Sequence, residues 1–148
     1  MKKVLFIIIF SVTALTGFAQ DQIVGRWTTS DGEATVEIYQ EQGKFFGKII
    51  WLKSPYDENG SPLTDTENPD KSKHNTPLVG TIILKDLKYK NNKWEDGTIY
   101  DPEEGKTYKC SVWLEKGKLK IRGYWGVFYQ TEIWVRQKQS TEINKRHD

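Results

Sequence analysis

From Ile23 to Arg136, outside the segment Lys53 to Leu78, the apolar residues recur at every second position, and no stretch sustains a helical period. Ala34, Val36 and Ile38 alternate with Thr35, Glu37 and Tyr39. Tyr108, Cys110, Val112 and Leu114 alternate with Thr107, Lys109, Ser111 and Trp113. Leu119 and Ile121 alternate with Lys118, Lys120 and Arg122, and Ile133 and Val135 with Glu132, Trp134 and Arg136. Side chains on a strand point alternately to its two faces, so this pattern predicts strands with one buried and one wet face. The expected strands are 24–29, 34–41, 45–52, 81–86, 93–100, 106–114, 118–124 and 131–136. Turn residues separate most of them: Ser30-Asp31-Gly32-Glu33, Glu41-Gln42-Gly43, Lys90-Asn91-Asn92 and Glu115-Lys116-Gly117. The clearest hairpin is Trp94 to Tyr108, where Pro102 presets φ, Asp101 can bond the backbone two residues on, and Gly105 accepts a positive φ.

Short links between successive strands predict an antiparallel meander. The expected fold is therefore all-β, a single barrel of about eight strands with one long loop; a β-sandwich is the alternative, and more often needs crossing connections. Residues 45–52 are apolar on both phases, so the segment that follows is expected to cover them. That segment, Lys53 to Leu78, carries Pro55, Pro62, Pro69 and Pro77 and has no alternation. A loop of this length in a small domain points to function or disorder.

The first nineteen residues read as a secretory signal peptide: Lys2-Lys3, an apolar run from Val4 to Leu15, and the small-x-small site Gly17-Phe18-Ala19. The run is too short to span a membrane. The expected organisation is a leader over 1–19, a barrel domain over 20–136 and a polar tail over 137–148, in a monomer exported to the periplasm or beyond. The chain has 22 basic and 20 acidic residues, and losing Lys2 and Lys3 balances them. That balance offers no field to draw the protein to nucleic acid. Cys110 is the only cysteine, so no intrachain disulfide can form, and its alternating apolar setting predicts a buried thiol.

The chain resembles the bacterial family called domain of unknown function 2147. The resemblance rests on Gly25-Arg26-Trp27, Gly47-Lys48-Ile49-Ile50-Trp51, Asn68-Pro69-Asp70, Pro77-Leu78-Val79-Gly80, Trp94 through Tyr108, Leu119 through Tyr124, and Trp134-Val135-Arg136. It implies a signal peptide and one β-rich domain, and no established activity. The resemblance also implies an Arg four residues before Trp134, where this chain has Gln130. A looser resemblance is to lipocalin and fatty-acid-binding barrels. It implies that Trp27 on the first strand and Arg136 on the last pack together to close one end.

Catalysis finds little support in the residues. His74 sits in the long loop and His147 in the tail, there is no Gly-x-Ser-x-Gly elbow, and one thiol with two scattered histidines makes no metal cage. Aligning Asn59-Gly60 to an EF-hand puts Pro55 and Thr66 at ligand positions, so that pattern fails. Glu103-Glu104 lies on a turn tip and reads as solvated. No cofactor is implied. The leading expectation is a non-catalytic protein holding a small apolar or amphipathic ligand, with Tyr100, Asp101, Tyr108, Arg122 and Tyr124 as candidate contacts. Arg122 and Tyr124 fall on the outward phase, and a bulge at Gly123 would be needed to turn Tyr124 inward. The second is a carbohydrate- or protein-interaction module using Trp113 and Trp134, which fall on the polar phase of their strands. The third is an enzyme whose site gathers at the long loop and the Trp94–Tyr108 hairpin.

Overall fold

A computed structural model describes residues 15–138. Most of the expected leader, and the tail beyond Lys138 with His147, lie outside the described residues. A short helix, Leu15–Gln20, and a 3-10 turn, Asp21–Ile23, lead into eight strands: β1 (Gly25–Thr29), β2 (Ala34–Glu41), β3 (Lys44–Leu52), β4 (Ile82–Lys90), β5 (Lys93–Asp101), β6 (Lys106–Glu115), β7 (Lys118–Trp125) and β8 (Phe128–Arg136). Each strand pairs antiparallel with the next and β8 returns to β1, so the meander is a closed barrel and not a sandwich.

Two strands exceed the sequence expectation by three residues or more. β4 continues to Lys90 through Asp86, whose φ of 59° marks an irregularity that leaves Leu84 and Leu87 both buried. β8 starts three residues early, because Gly126-Val127 is a tight turn that pairs Trp125 with Phe128. Gly126 has φ 60°, a left-handed conformation that glycine enters without steric cost.

That turn sets the register of the last hairpin. It places Trp134 opposite Leu119, Glu132 opposite Ile121 and Gln130 opposite Gly123. Leu119 and Ile121 face the core, so Trp134, Glu132 and Gln130 face inward as well. The expectation that Ile133 and Val135 point in is therefore overturned: Trp134 is 1% exposed and Val135 48%. A slip of one residue exchanges the faces of a strand, and both phases here carry apolar side chains.

The two ends of the barrel differ. At the end where β1 begins, Trp27, Phe45, Leu87, Trp94, Val112, Leu119 and Trp134 fill the interior and are buried. Ile23 is fully buried beneath them, and the Gln20–Val24 backbone is held from above. Trp27 Nε1 donates to the Ile23 carbonyl (2.8 Å) and Trp94 Nε1 to that of Gln20 (3.0 Å). Arg136 donates to the carbonyls of Val24 (3.0 Å) and Gln22 while its guanidinium lies 4.2 Å from the Trp27 ring centroid. Such a stack adds about 0.5–2 kcal/mol. First and last strands thus seal this end together.

The opposite end is open. β1 pairs with β8 only over Trp27–Thr29 and Trp134–Arg136. Residues 128–133 of β8 run on beyond the last of these rungs, and among the described residues no strand pairs their outer edge.

The long loop is an ordered structure of its own. Antiparallel bridges Tyr56↔Pro62 and Thr64↔Pro77 fold it back on itself, and Lys71–Lys73 form a 3-10 turn. It does not blanket β3 as expected, since Trp51 stays 48% exposed. It is anchored to the barrel at Ile49, Glu33 and, through side chains, β5.

Candidate functional site

Inward side chains grade from buried to exposed along the barrel axis. On the last hairpin Trp134, Leu119 and Ile121 are buried, whereas beyond Ile121 Glu132, Gln130, Trp125 and Phe128 are exposed although register turns all four to the inner face. Four residues separate Glu132 from Phe128. At ~3.3 Å per residue and a tilt of ~40°, the exposed inner face of this strand end reaches about 10 Å along the barrel axis and forms one side of the barrel mouth, the bowl. Ile99 and Tyr108, paired across β5 and β6, continue the same inner face beside β7. Tyr108 meets Trp125 with ring centroids 5.9 Å apart. Gly123 keeps the wall thin, since a Cβ there would reach only ordinary contact with Ile99 (3.6 Å) and Tyr108 (3.7 Å).

Of the residues singled out by sequence, only Tyr108 belongs to this bowl wall. Its hydroxyl donates to Glu104 (2.5 Å), and that bond, with some burial, pushes its pKa up to about 12. Asp101 is at the rim but folded into its turn, accepting from the backbone N–H of Glu103 (2.9 Å) and Glu104 (3.4 Å). Tyr100 faces outward under the long loop. It donates to Asp65 (2.6 Å), a carboxylate 2% exposed that also accepts from Asn68 Nδ2 (2.7 Å). Burial first, and the Asp65 bond second, push the Tyr100 phenol up to about 12. His74 Nε2 meets the Asn68 carbonyl at 2.7 Å. This network ties loop to barrel, and each member is engaged by another.

Arg122 and Tyr124 lie on the outer face; β7 pairs without a register shift at Gly123, so nothing turns Tyr124 inward. Arg122 sits between Trp113 (5.0 Å) and Tyr129 (4.2 Å) and donates to Thr131 Oγ1 (2.8 Å). The Tyr124 hydroxyl bonds that of Ser111 at 2.8 Å. Trp113 is half-buried under Arg122 and Lys93, whereas Trp134 is in the core, so the two do not form a shared outer surface. Burial pushes the Cys110 thiol up to about 12, which suppresses the reactive thiolate.

Two concavities open on the outer surface. One, about 560 Å³, is lined by Asp96, Thr98, Lys109, Ser111 and Tyr124. The other, about 960 Å³, lies at the closed end beside Arg26, Glu37 and Arg136. Among the described residues no three His, Cys, Asp or Glu converge on a metal-sized space, and no helix is long and apolar enough to cross a membrane.

Sequence reasoning missed Glu132, Gln130, Trp125 and Phe128. The signal was present in Gly126: counting register outward from a two-residue turn at 126–127 puts Glu132 opposite Ile121.

A closed eight-stranded antiparallel meander, sealed at one end by a Trp–Arg stack and open at the other, is a lipocalin-like barrel. Residues 25–136 match the family model described as an uncharacterised protein conserved in bacteria (DUF2147), and the chain belongs to that family. Among solved structures it is similar to protein HP1028 of Helicobacter pylori, described as belonging to the lipocalin family. The two share 25% identity and a TM-score of 0.65 over 78% of this chain and 83% of the other. No curated protein matches. The lipocalin-like barrel is compatible with holding a small ligand.

Proposed function

We propose that the chain is an exported, non-catalytic binding protein that holds a small amphipathic ligand in the open half of the barrel. The observation that carries this reading is the graded interior. The closed half is packed by three fully buried tryptophans and offers no room. The open half has inward aromatic and polar side chains that remain exposed to solvent. Concave sites with apolar walls and a few polar groups are where small molecules bind. The lipocalin-like fold supports the binding reading, and the apolar run from Val4 to Leu15 after Lys2-Lys3 supports export.

Titration with the neutral fluorophore N-phenyl-1-naphthylamine tests it. Saturable binding is expected, lost in Gly123→Leu, whose side chain would grow into the bowl toward Ile99 and Tyr108. Absence of saturable binding, or binding unaffected by G123L in a protein with native far-UV circular dichroism, would overturn it.

A further inference from the structure

Charge inside the bowl is unbalanced. Four charged residues occupy inward positions in the pairing of β5 to β8 and β1: Asp101, Lys106, Glu132 and Arg136. Three are engaged elsewhere. Arg136 is committed to the Gln22 and Val24 carbonyls at the closed end. Asp101 accepts from its own turn, and Lys106 extends at the rim to Glu104 (3.9 Å). Glu132 is left deepest in the open half. Its Oε2 accepts from Trp134 Nε1 (3.0 Å), and among the described residues no Lys, Arg or His comes within ion-pair distance of it.

The aromatic side chains are placed to complement that carboxylate. Tyr108, Trp125 and Phe128 lie on the inner face of three adjacent strands, nearer the open end than Glu132. Aromatic faces attract cations through the ring quadrupole, and an acidic group beneath aromatic walls is the arrangement that selects an ammonium head. An anionic head would instead face an unpaired carboxylate, and juxtaposed like charges are strongly selected against.

We propose that the ligand taken by this bowl carries a protonated or quaternary amine, seated against Glu132, with its apolar part directed toward Trp125 and Phe128. This rests on the reading that the open half binds a ligand, and specifies the ligand's charge.

The test is isothermal titration of the full chain with three probes of equal tail length: decyltrimethylammonium, decanol and decanoate, each kept below its micelle concentration. The expected order is the cation tightest, decanol about tenfold weaker, and decanoate weakest. Glu132→Gln keeps an oxygen acceptor for Trp134 and should lower cation affinity about tenfold while leaving decanol unchanged; tenfold is 1.4 kcal/mol. Gln130→Glu adds a second carboxylate on the same inward face of an exposed strand end and should tighten the cation further. That variant keeps the inference testable if E132Q does not fold.

If none of the probes binds, the ligand-binding reading falls, and this inference with it. If decanol binds but the cation gains nothing, the amine inference alone is overturned. Inward charges on unpaired edge strands also guard against edge-to-edge association. An E132Q protein that dimerises in sedimentation yet binds the cation as before would assign Glu132 to that guarding role and overturn the inference.

Discussion

The strongest test of the closed end is Ile23→Ala. Ile23 is fully buried, yet it precedes the first strand and belongs to a segment whose backbone carbonyls accept from Trp27, Trp94 and Arg136. The substitution removes three carbons beyond Cβ. At ~0.8 kcal/mol per buried methylene the transfer loss is about 2.4 kcal/mol. The space left beneath Trp27 and Trp94 adds to it, for a total of about 3 kcal/mol. The hydrogen bonds to Gln20, Ile23 and Val24 use carbonyl oxygens and survive the change, so the measurement isolates burial. Urea unfolding followed by tryptophan fluorescence should show that loss with an unchanged m-value. At about 4 °C per kcal/mol for a domain of this size, the melting temperature should fall by about 12 °C. Ile23→Val removes one methylene and should cost about 1 kcal/mol. A cost for I23A below about 1 kcal/mol would show that the segment is not seated under the barrel in solution, and would refute the account of the closed end.

The remaining predictions concern the loop, its pH response and the core. Tyr100→Phe leaves the buried Asp65 Oδ1 without its donor and should cost about 1–3 kcal/mol in urea unfolding, with loop amides near Asp65 exchanging faster; an unchanged midpoint would contradict that network. Because Tyr100 and Tyr108 are each raised to about 12 from 10, the fold retains those protons longer than the unfolded chain does. Stability from them is full below pH 10 and declines as pH rises toward 12, a slope that should flatten in the double phenylalanine variant. Gly105→Ala should destabilise by at least about 2 kcal/mol, because φ is 64° and a Cβ would fall 1.9 Å from the Glu67 carbonyl oxygen; thermal melting reads it. Trp134→Ala should cost about 3–5 kcal/mol, the price of a core residue, where an outward Trp would cost well under 1.

Fold and site were unequally legible. Period two with frequent turn residues identifies eight strands and their order, because most hairpins carry their own turn chemistry. The Trp94–Tyr108 hairpin shows how far this goes: Asp101 and Gly105 act as turn residues, and Gly105 also lets the long loop pass close by. β8 was misphased because Ile133, Trp134 and Val135 are all apolar, so hydropathy cannot choose a face. Only the turn at Gly126 can choose, and its consequence is register, a long-range property. The bowl was missed for the same reason, since Glu132 looked like an outward charge. The attachment of the long loop through Tyr100 and Asp65 joins positions 35 apart and left no local trace.

The joining of Arg136 to Gln22 and Val24 has a practical side. The Gln137 N–H donates to the Arg26 carbonyl (2.9 Å), so Gln22–Val24 and Arg136–Gln137 meet at the sealed end. An affinity handle or surface anchor joined directly after Lys138 would hang from the base of the cup and hold its rim away from the support. Immobilised in that orientation, the protein can be screened against candidate ligands without obstructing their way in.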